Sequence, residues 1–174
     1  MVRIIVEELP AAGRRWEGQV NVELAADQDA DGLAVREPVR YELAVSRRGS
    51  TVFVEGHIEA RVEAACSRCG HRFEIPVDRD FKSMFVTAET RETDRAAELD
   101  ADDLDLDYYQ GGVIDGLQIL VEEILLEVPM KTLCAEDCKG LCATCGANLN
   151  RTDCDCDADV DPRWAPLKGL RDQL

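Results

Sequence analysis

At 174 residues the chain has the length of one ordinary domain plus a small appendage. Its 45% apolar content supports a core, and 5% aromatics make that core one of Val, Leu, Ile and Ala. A formal charge of −16 excludes a protein that coats nucleic acid by charge alone, because phosphate binding needs clustered Lys and Arg; it suits a basic protein as partner.

The opening MVRIIVEELP has an apolar run of only three residues before Glu7 and Glu8, too short for a secretory signal. The longest apolar stretch elsewhere, 119–128, is interrupted by Glu122, Glu123 and Glu127, so no transmembrane span is expected. The expected location is cytoplasmic. In a reducing compartment, eight cysteines read as metal ligands more naturally than as four disulfides.

The first half alternates as a sheet does. In EGQVNVELA (17–25), Val20, Val22 and Leu24 share one face, and PVRYELAVS (38–46) repeats this with Val39, Tyr41, Leu43 and Val45. TVFVEGHIEARVEAA (51–65) is the clearest strand: Val52, Val54, Ile58, Ala60, Val62 and Ala64 all fall in one phase, with a bend expected at Gly56. After CSRC, FEIPVDRDF (73–81) resumes with Phe73, Ile75, Val77 and Phe81 on one face, while Pro76 suggests an edge strand. The two runs make a hairpin with the cysteine pair at its tip.

Residues 87–107 carry nine acidic residues against Arg91 and Arg95. They read as a solvated acidic loop, or as a tether for a basic partner, ending in a short strand at LDLDYY. Beyond Gly111-Gly112 the period changes. Ile114, Leu117, Leu120, Val121, Ile124, Leu125 and Val128 predict a helix over 114–128, with Gln118, Glu122, Glu123 and Glu127 opposite. Asp115 suits the first turn and Pro129 ends the helix. In the tail, Asp161 and Pro162 start a short C-terminal helix that Pro166 and Gly169 curtail. The fold class is therefore α+β: an antiparallel, β-rich domain over 1–130 carrying one packed helix, then a Cys-rich, zinc-stabilised segment over 131–174.

A structural zinc site wants four thiolates in a tetrahedron, and pairs two to four residues apart let two sulfurs reach one ion. The chain offers Cys66/Cys69, Cys134/Cys138, Cys142/Cys145 and Cys154/Cys156. Gly70 and Gly146 follow two of these pairs, where a knuckle turn needs positive φ. Arg68, Arg72, Lys139 and Arg151 lie near the pairs; their positive charge favours thiolate over thiol. One division places Cys66, Cys69, Cys134 and Cys138 around one zinc and Cys142, Cys145, Cys154 and Cys156 around another. The first would staple the hairpin tip to the chain leaving the helix; the second would order a tail too poor in apolar residues to fold alone. A rival division puts a single zinc within 134–156 and leaves CSRC free or redox-active. Iron–sulfur spacings of the common patterns do not occur.

No catalytic constellation is present. His57 falls on the polar phase of its strand, His71 is at most a substitute ligand, and HExxH, P-loop, GxSxG and GxGxxG are all missing.

The order of CSRCG (66–70), an acidic loop, the IDGLQILVEEILLEVP helix, CAEDCKGLCATCGANLN (134–150), a CxC pair and DPR (161–163) resembles the YceD family, the large ribosomal RNA subunit accumulation proteins. The resemblance spans residues 17–172, and CKGLCATCGANLN is its specific part. It implies a non-enzymatic cytoplasmic factor that supports 23S ribosomal RNA accumulation or processing during ribosome assembly. Two mechanisms fit the residues. Arg68, Arg72, Lys139 and Arg151 would meet ribosomal RNA, or the acidic surface would hold a basic ribosomal protein or assembly factor while zinc is structural. A thiol redox sensor using Cys66 and Cys69 is the alternative of a different class.

Overall fold

The computed structural model describes residues 2–24, 32–88, 106–156 and residue 163. Most of the expected acidic loop and the expected C-terminal helix at Asp161 and Pro162 lie outside these residues. The chain forms two compact units, residues 1–64 with 73–130 and residues 65–72 with 131–174.

The first unit is built on a five-stranded sheet of order β2-β3-β4-β5-β6. Its strands are β2 (Arg14–Val20), β3 (Ala34–Arg48), β4 (Thr51–Ala65), β5 (Arg72–Thr87) and β6 (Leu106–Tyr109). Alternation decides the faces. Val52, Val54, Ile58, Val62 and Ala64 of β4 are buried with Val39, Leu43 and Val45 of β3 and Val77, Phe81 and Phe85 of β5. Each of these Val, Leu, Ile and Phe side chains removed from water contributes roughly 1.5–3 kcal/mol, and Ala64 less.

β2 pairs antiparallel with β3 from Arg14 opposite Val45 to Val20 opposite Val39, so it begins earlier in the chain than the alternation predicts. β3 and β4 are joined by a two-residue turn whose first member, Gly49, sits at φ +62°. Within their ladder Arg36 faces Arg61 but Arg40 faces Glu59, so β3 carries a bulge. Glu37 takes φ +65° there, and Pro38, which has no N–H for a ladder, fits the interruption. At the bend, a Cβ on Gly56 would lie 2.6 Å from Phe81 Cζ and 2.7 Å from Leu43 Cδ2, so only glycine admits both core side chains.

The sheet is not antiparallel throughout. β6 runs parallel to β5, Met84 opposite Leu106 and Thr87 opposite Tyr109. A parallel return needs a crossover of about a dozen residues or more, and residues 88–105 supply that length. β6 pairs only with the end of β5, leaving exposed Pro76 outside that ladder.

Two further strands, too short for a period to show in the sequence, are β1 (Arg3–Ile5) and β7 (Val113–Asp115). They pair antiparallel with Ile4 opposite Ile114, both buried. β7 leads directly into an α-helix, α1 (Gly116–Glu127). Asp115 caps it, its side chain accepting from the N–H groups of Leu117 at 2.9 Å and Gln118 at 3.4 Å. At Gly116 an added Cβ would fall 2.6 Å from Val2 Cγ1 and 2.9 Å from Val2 O, so the helix opens on glycine to let β1 approach.

The helix buries Ile119, Leu120 and Ile124. It also buries Glu123, which the periodicity places on the polar side: the residue is only 8% exposed. Arg79 on β5 accounts for this, with Nε 3.3 Å from Glu123 Oε2 and a further ion pair to Glu127.

Candidate metal centres

The second unit is organised by its sulfurs. The turn after β4 is tight: Cys66 N–H donates to His71 O at 2.8 Å and Gly70 N–H to Cys66 O at 2.8 Å. Gly70 takes φ +67°, and Gly146 repeats the geometry at φ +73°, its N–H 2.9 Å from Cys142 O. Thr132 anchors the first turn to the later chain. Its carbonyl accepts from Ser67 N–H and Ser67 Oγ at 2.9 and 2.6 Å, and its hydroxyl donates to Ala65 O at 2.6 Å.

These turns bring the eight cysteines into two groups, Cys66, Cys69, Cys134 and Cys138 in one and Cys142, Cys145, Cys154 and Cys156 in the other. Within each group all four sulfurs lie within 4.8 Å of one another. Across the first, Cys66 Sγ and Cys138 Sγ are 3.8 Å apart and Cys69 Sγ and Cys134 Sγ 3.7 Å. An ion with metal–sulfur bonds of about 2.3 Å holds four tetrahedral thiolates about 3.8 Å apart. The donor set and its edge length therefore fit one four-coordinate soft ion, and leave no room for a multi-iron cluster between the sulfurs. Four thiolates with no open position suit a structural ion.

The two groups differ in solvent access. Cys66, Cys69 and Cys138 are buried, whereas Cys145 and Cys156 are exposed. Their thiol acidities show what a shared shell does. Backbone amides, first that of Cys134 and then those of Arg68 and Cys69, bring the Cys66 thiol down to about 6. Burial and then the sulfurs of Cys69, Cys138 and Cys66 push Cys134 up to about 12. In the second group, backbone amides led by Cys145 bring Cys142 down to about 6, and the Cys145 sulfur first among causes pushes Cys156 up to about 12. One thiolate forms easily and resists the next until a cation shares the charge.

The basic residues divide too. Arg68 Nη1 donates to Glu136 O at 3.0 Å and Cys138 O at 2.9 Å, so this guanidinium braces the turn around the first group. Arg72, Lys139 and Arg151 are exposed, and Lys139 uses its N–H, not its side chain, on Asn150 Oδ1 at 2.8 Å. Asn150 and Asn148 also shape the site, although their residue type gave no ligand signal. His71 belongs to neither sulfur group.

In the first unit, a groove of about 700 Å³ crosses Glu42, Glu55, His57, Asp80 and Lys82. Within it His57 Nδ1 pairs with Asp80 at 2.9 Å and Lys82 with Glu55 at 2.9 Å, and no Ser, Thr or Cys lines it. The Asp80 bond raises the His57 pKa above its usual 6.5. No helix of the described residues is long and apolar enough to cross a membrane.

Comparison with known proteins gives the chain its relatives. It is 27% identical over 139 residues to an uncharacterized protein of Mycobacterium leprae, covering 76% of this chain and 59% of that one. It is 27% identical over 167 residues to the large ribosomal RNA subunit accumulation protein YCED homolog 1, chloroplastic, of Arabidopsis thaliana, covering 79% of this chain and 50% of the relative. The Zea mays protein of the same description is 28% identical over 166 residues, covering 82% and 56%. The chain thus spans between half and three-fifths of the length of these relatives. No solved structure matches it. The family described as large ribosomal RNA subunit accumulation protein YceD matches residues 54–171, a stretch that holds all eight cysteines, and the chain belongs to that family.

Proposed function

We propose that the protein is a non-enzymatic, cytoplasmic factor supporting large-subunit ribosomal RNA accumulation, with zinc in both sulfur groups as a structural element. Family membership over residues 54–171 carries this reading. The tetrahedral sulfur spacing of the first group, 3.7–3.8 Å, supports the metal part of it. Burial of Cys66 and Cys69 gives an oxidant little access and speaks against the redox-sensor alternative.

Of the two routes to ribosomal RNA, a net charge of −16 favours contact through a basic ribosomal protein or assembly factor. Arg68 is tied to two carbonyls, so reversing its charge tests the scaffold. Reversal of Arg72, Lys139 and Arg151 together tests the surface. The decisive experiment is a pull-down from lysate with metal analysis of the same sample, for wild type and this triple variant. Recovery of large-subunit RNA or proteins with two zinc ions per chain is expected. RNA retention abolished in the triple variant at unchanged metal content moves the reading to direct RNA contact, and a sample with neither metal nor ribosomal material overturns it.

A further inference from the structure

The stretch CKGLCATCGANLN contributes more than sulfur. Between Cys138 of the first group and Cys142 of the second the chain begins a small hairpin: Leu141 and Asn148 form an antiparallel bridge, and Leu149 N–H donates to Gly140 O at 2.9 Å. This returns Asn150 to the side of Cys138. Asn150 Oδ1 accepts from Lys139 N–H at 2.8 Å. A backbone N–H only donates, so this bond fixes which end of the amide is oxygen. The Nδ2 group then stands 3.3 Å from Cys138 Sγ and 2.9 Å from Asn148 Oδ1. Asn148 O accepts from the N–H groups of Arg151 and Thr152, both at 3.0 Å, in the turn leading toward Cys154.

The same hairpin is tied to the first knuckle. Leu141 N–H reaches Arg68 O at 3.2 Å. Gly140, at φ +78°, leaves only 3.1 Å between a notional Cβ and that carbonyl. One side of the hairpin therefore contacts the first sulfur group while its tip carries Cys142 and Cys145 of the second.

We propose that Asn150 couples the two groups, so that metal binds the pair cooperatively. The proposal deepens the metal reading above and rests on it. An ion held by Cys142, Cys145, Cys154 and Cys156 fixes the hairpin that aims the Asn150 amide at Cys138. The N–H then draws charge from the Cys138 sulfur and orients its lone pairs toward the first ion. An empty second group leaves the hairpin loose and that hydrogen bond unmade. Coupling of this kind is reciprocal, so filling the first group tightens the second by the same factor. Asn150 is a positioning residue here, not a ligand.

The test is a cobalt(II) and zinc titration of the full chain, followed by thiolate-to-metal absorption and chelator competition, with alkylation mapping to show which cysteines open first. Wild type should take two ions and release them in one step. Asn150→Ala should still take two ions but release them in two steps, with affinity at the first group about 10–100-fold lower. Asn150→Asp separates coupling from scaffolding. It keeps the oxygen that Lys139 N–H needs but turns a second oxygen on the thiolate, so it should lose at least as much affinity as Asn150→Ala. A milder loss than the alanine variant, or wild-type affinity and one-step release in both variants, overturns the coupling while leaving the metal reading intact. Independent release of the two ions from wild type does the same. A wild-type chain that takes no metal overturns the metal reading and the coupling together. In Cys142→Ser/Cys145→Ser, the first group should hold one ion more weakly by the same factor, and undiminished affinity there also counts against the proposal.

Discussion

At the scale of single residues, the buried contact between Arg79 and Glu123 joins a guanidinium to a carboxyl whose charge is costly to bury. Burial is the main reason that the Glu123 pKa is raised, and Arg79 offsets only part of it; Glu122 and Asp107 add repulsion. Arg79 Nε and Glu123 Oε2 are both buried, and at 3.3 Å they attract each other without the alignment of a hydrogen bond. A carboxyl whose folded pKa is raised stabilises the fold below its unfolded pKa, and that stability is lost as pH rises through the folded value. Glu123→Gln is therefore expected to match wild type near pH 4 and exceed it at pH 7 in chemical denaturation. Arg79→Met should do the reverse: about 3 kcal/mol of loss at pH 7, where it strands a buried carboxylate, shrinking as acid protonates Glu123. A neutral result for Arg79→Met at pH 7 would remove the pair from any role in stability.

Among the elements, α1 depends on its cap. Asp115→Ala removes the acceptor for Leu117 and Gln118 N–H and should cost about 1 kcal/mol, read as a lower denaturation midpoint with an unchanged slope. The elements also show why some of this fold could be read from the chain and some could not. β4 was fully legible because fifteen residues of strict alternation leave one register. β1 and β7 are three residues each, shorter than any period, and are held by a pairing between positions about a hundred residues apart. The parallel sense of β6 is set by the route of the crossover, which alternation does not encode. Glu123 was assigned to solvent because charge is ordinarily exposed, and its partner lies on a strand 44 positions earlier in the chain. Pair spacing allowed two divisions of the cysteines, and the two groups of four that the fold assembles are one of them. Asn150 was not legible, because an amide that orients a ligand has no spacing rule of its own.

At the scale of the whole molecule, the two units rest on different chemistry. The first has a contiguous apolar core, from Val2 and Ile4 through Val54 and Ile58 to Leu120 and Ile124. The second relies on turns around sulfur. Chelation should therefore erase hydrogen-exchange protection at the amides of Cys66, Gly70, Cys142 and Gly146 while those of β4 at Val54 and Ile58 stay protected. Acidification should act likewise, since protons compete with metal for thiolates; equal loss in both units would deny them separate stabilities. Synthesis adds a constraint of its own. Cys69 is made 65 positions before Cys134, to which it stands opposite. At roughly 5–20 residues per second that is a wait of about 3–13 s. During that interval the early pair has only half a coordination shell, and no ion can be fully enclosed. Closure of the first group is thus a late event in biogenesis, which makes a filled site a sign that the polypeptide has been translated past Cys138.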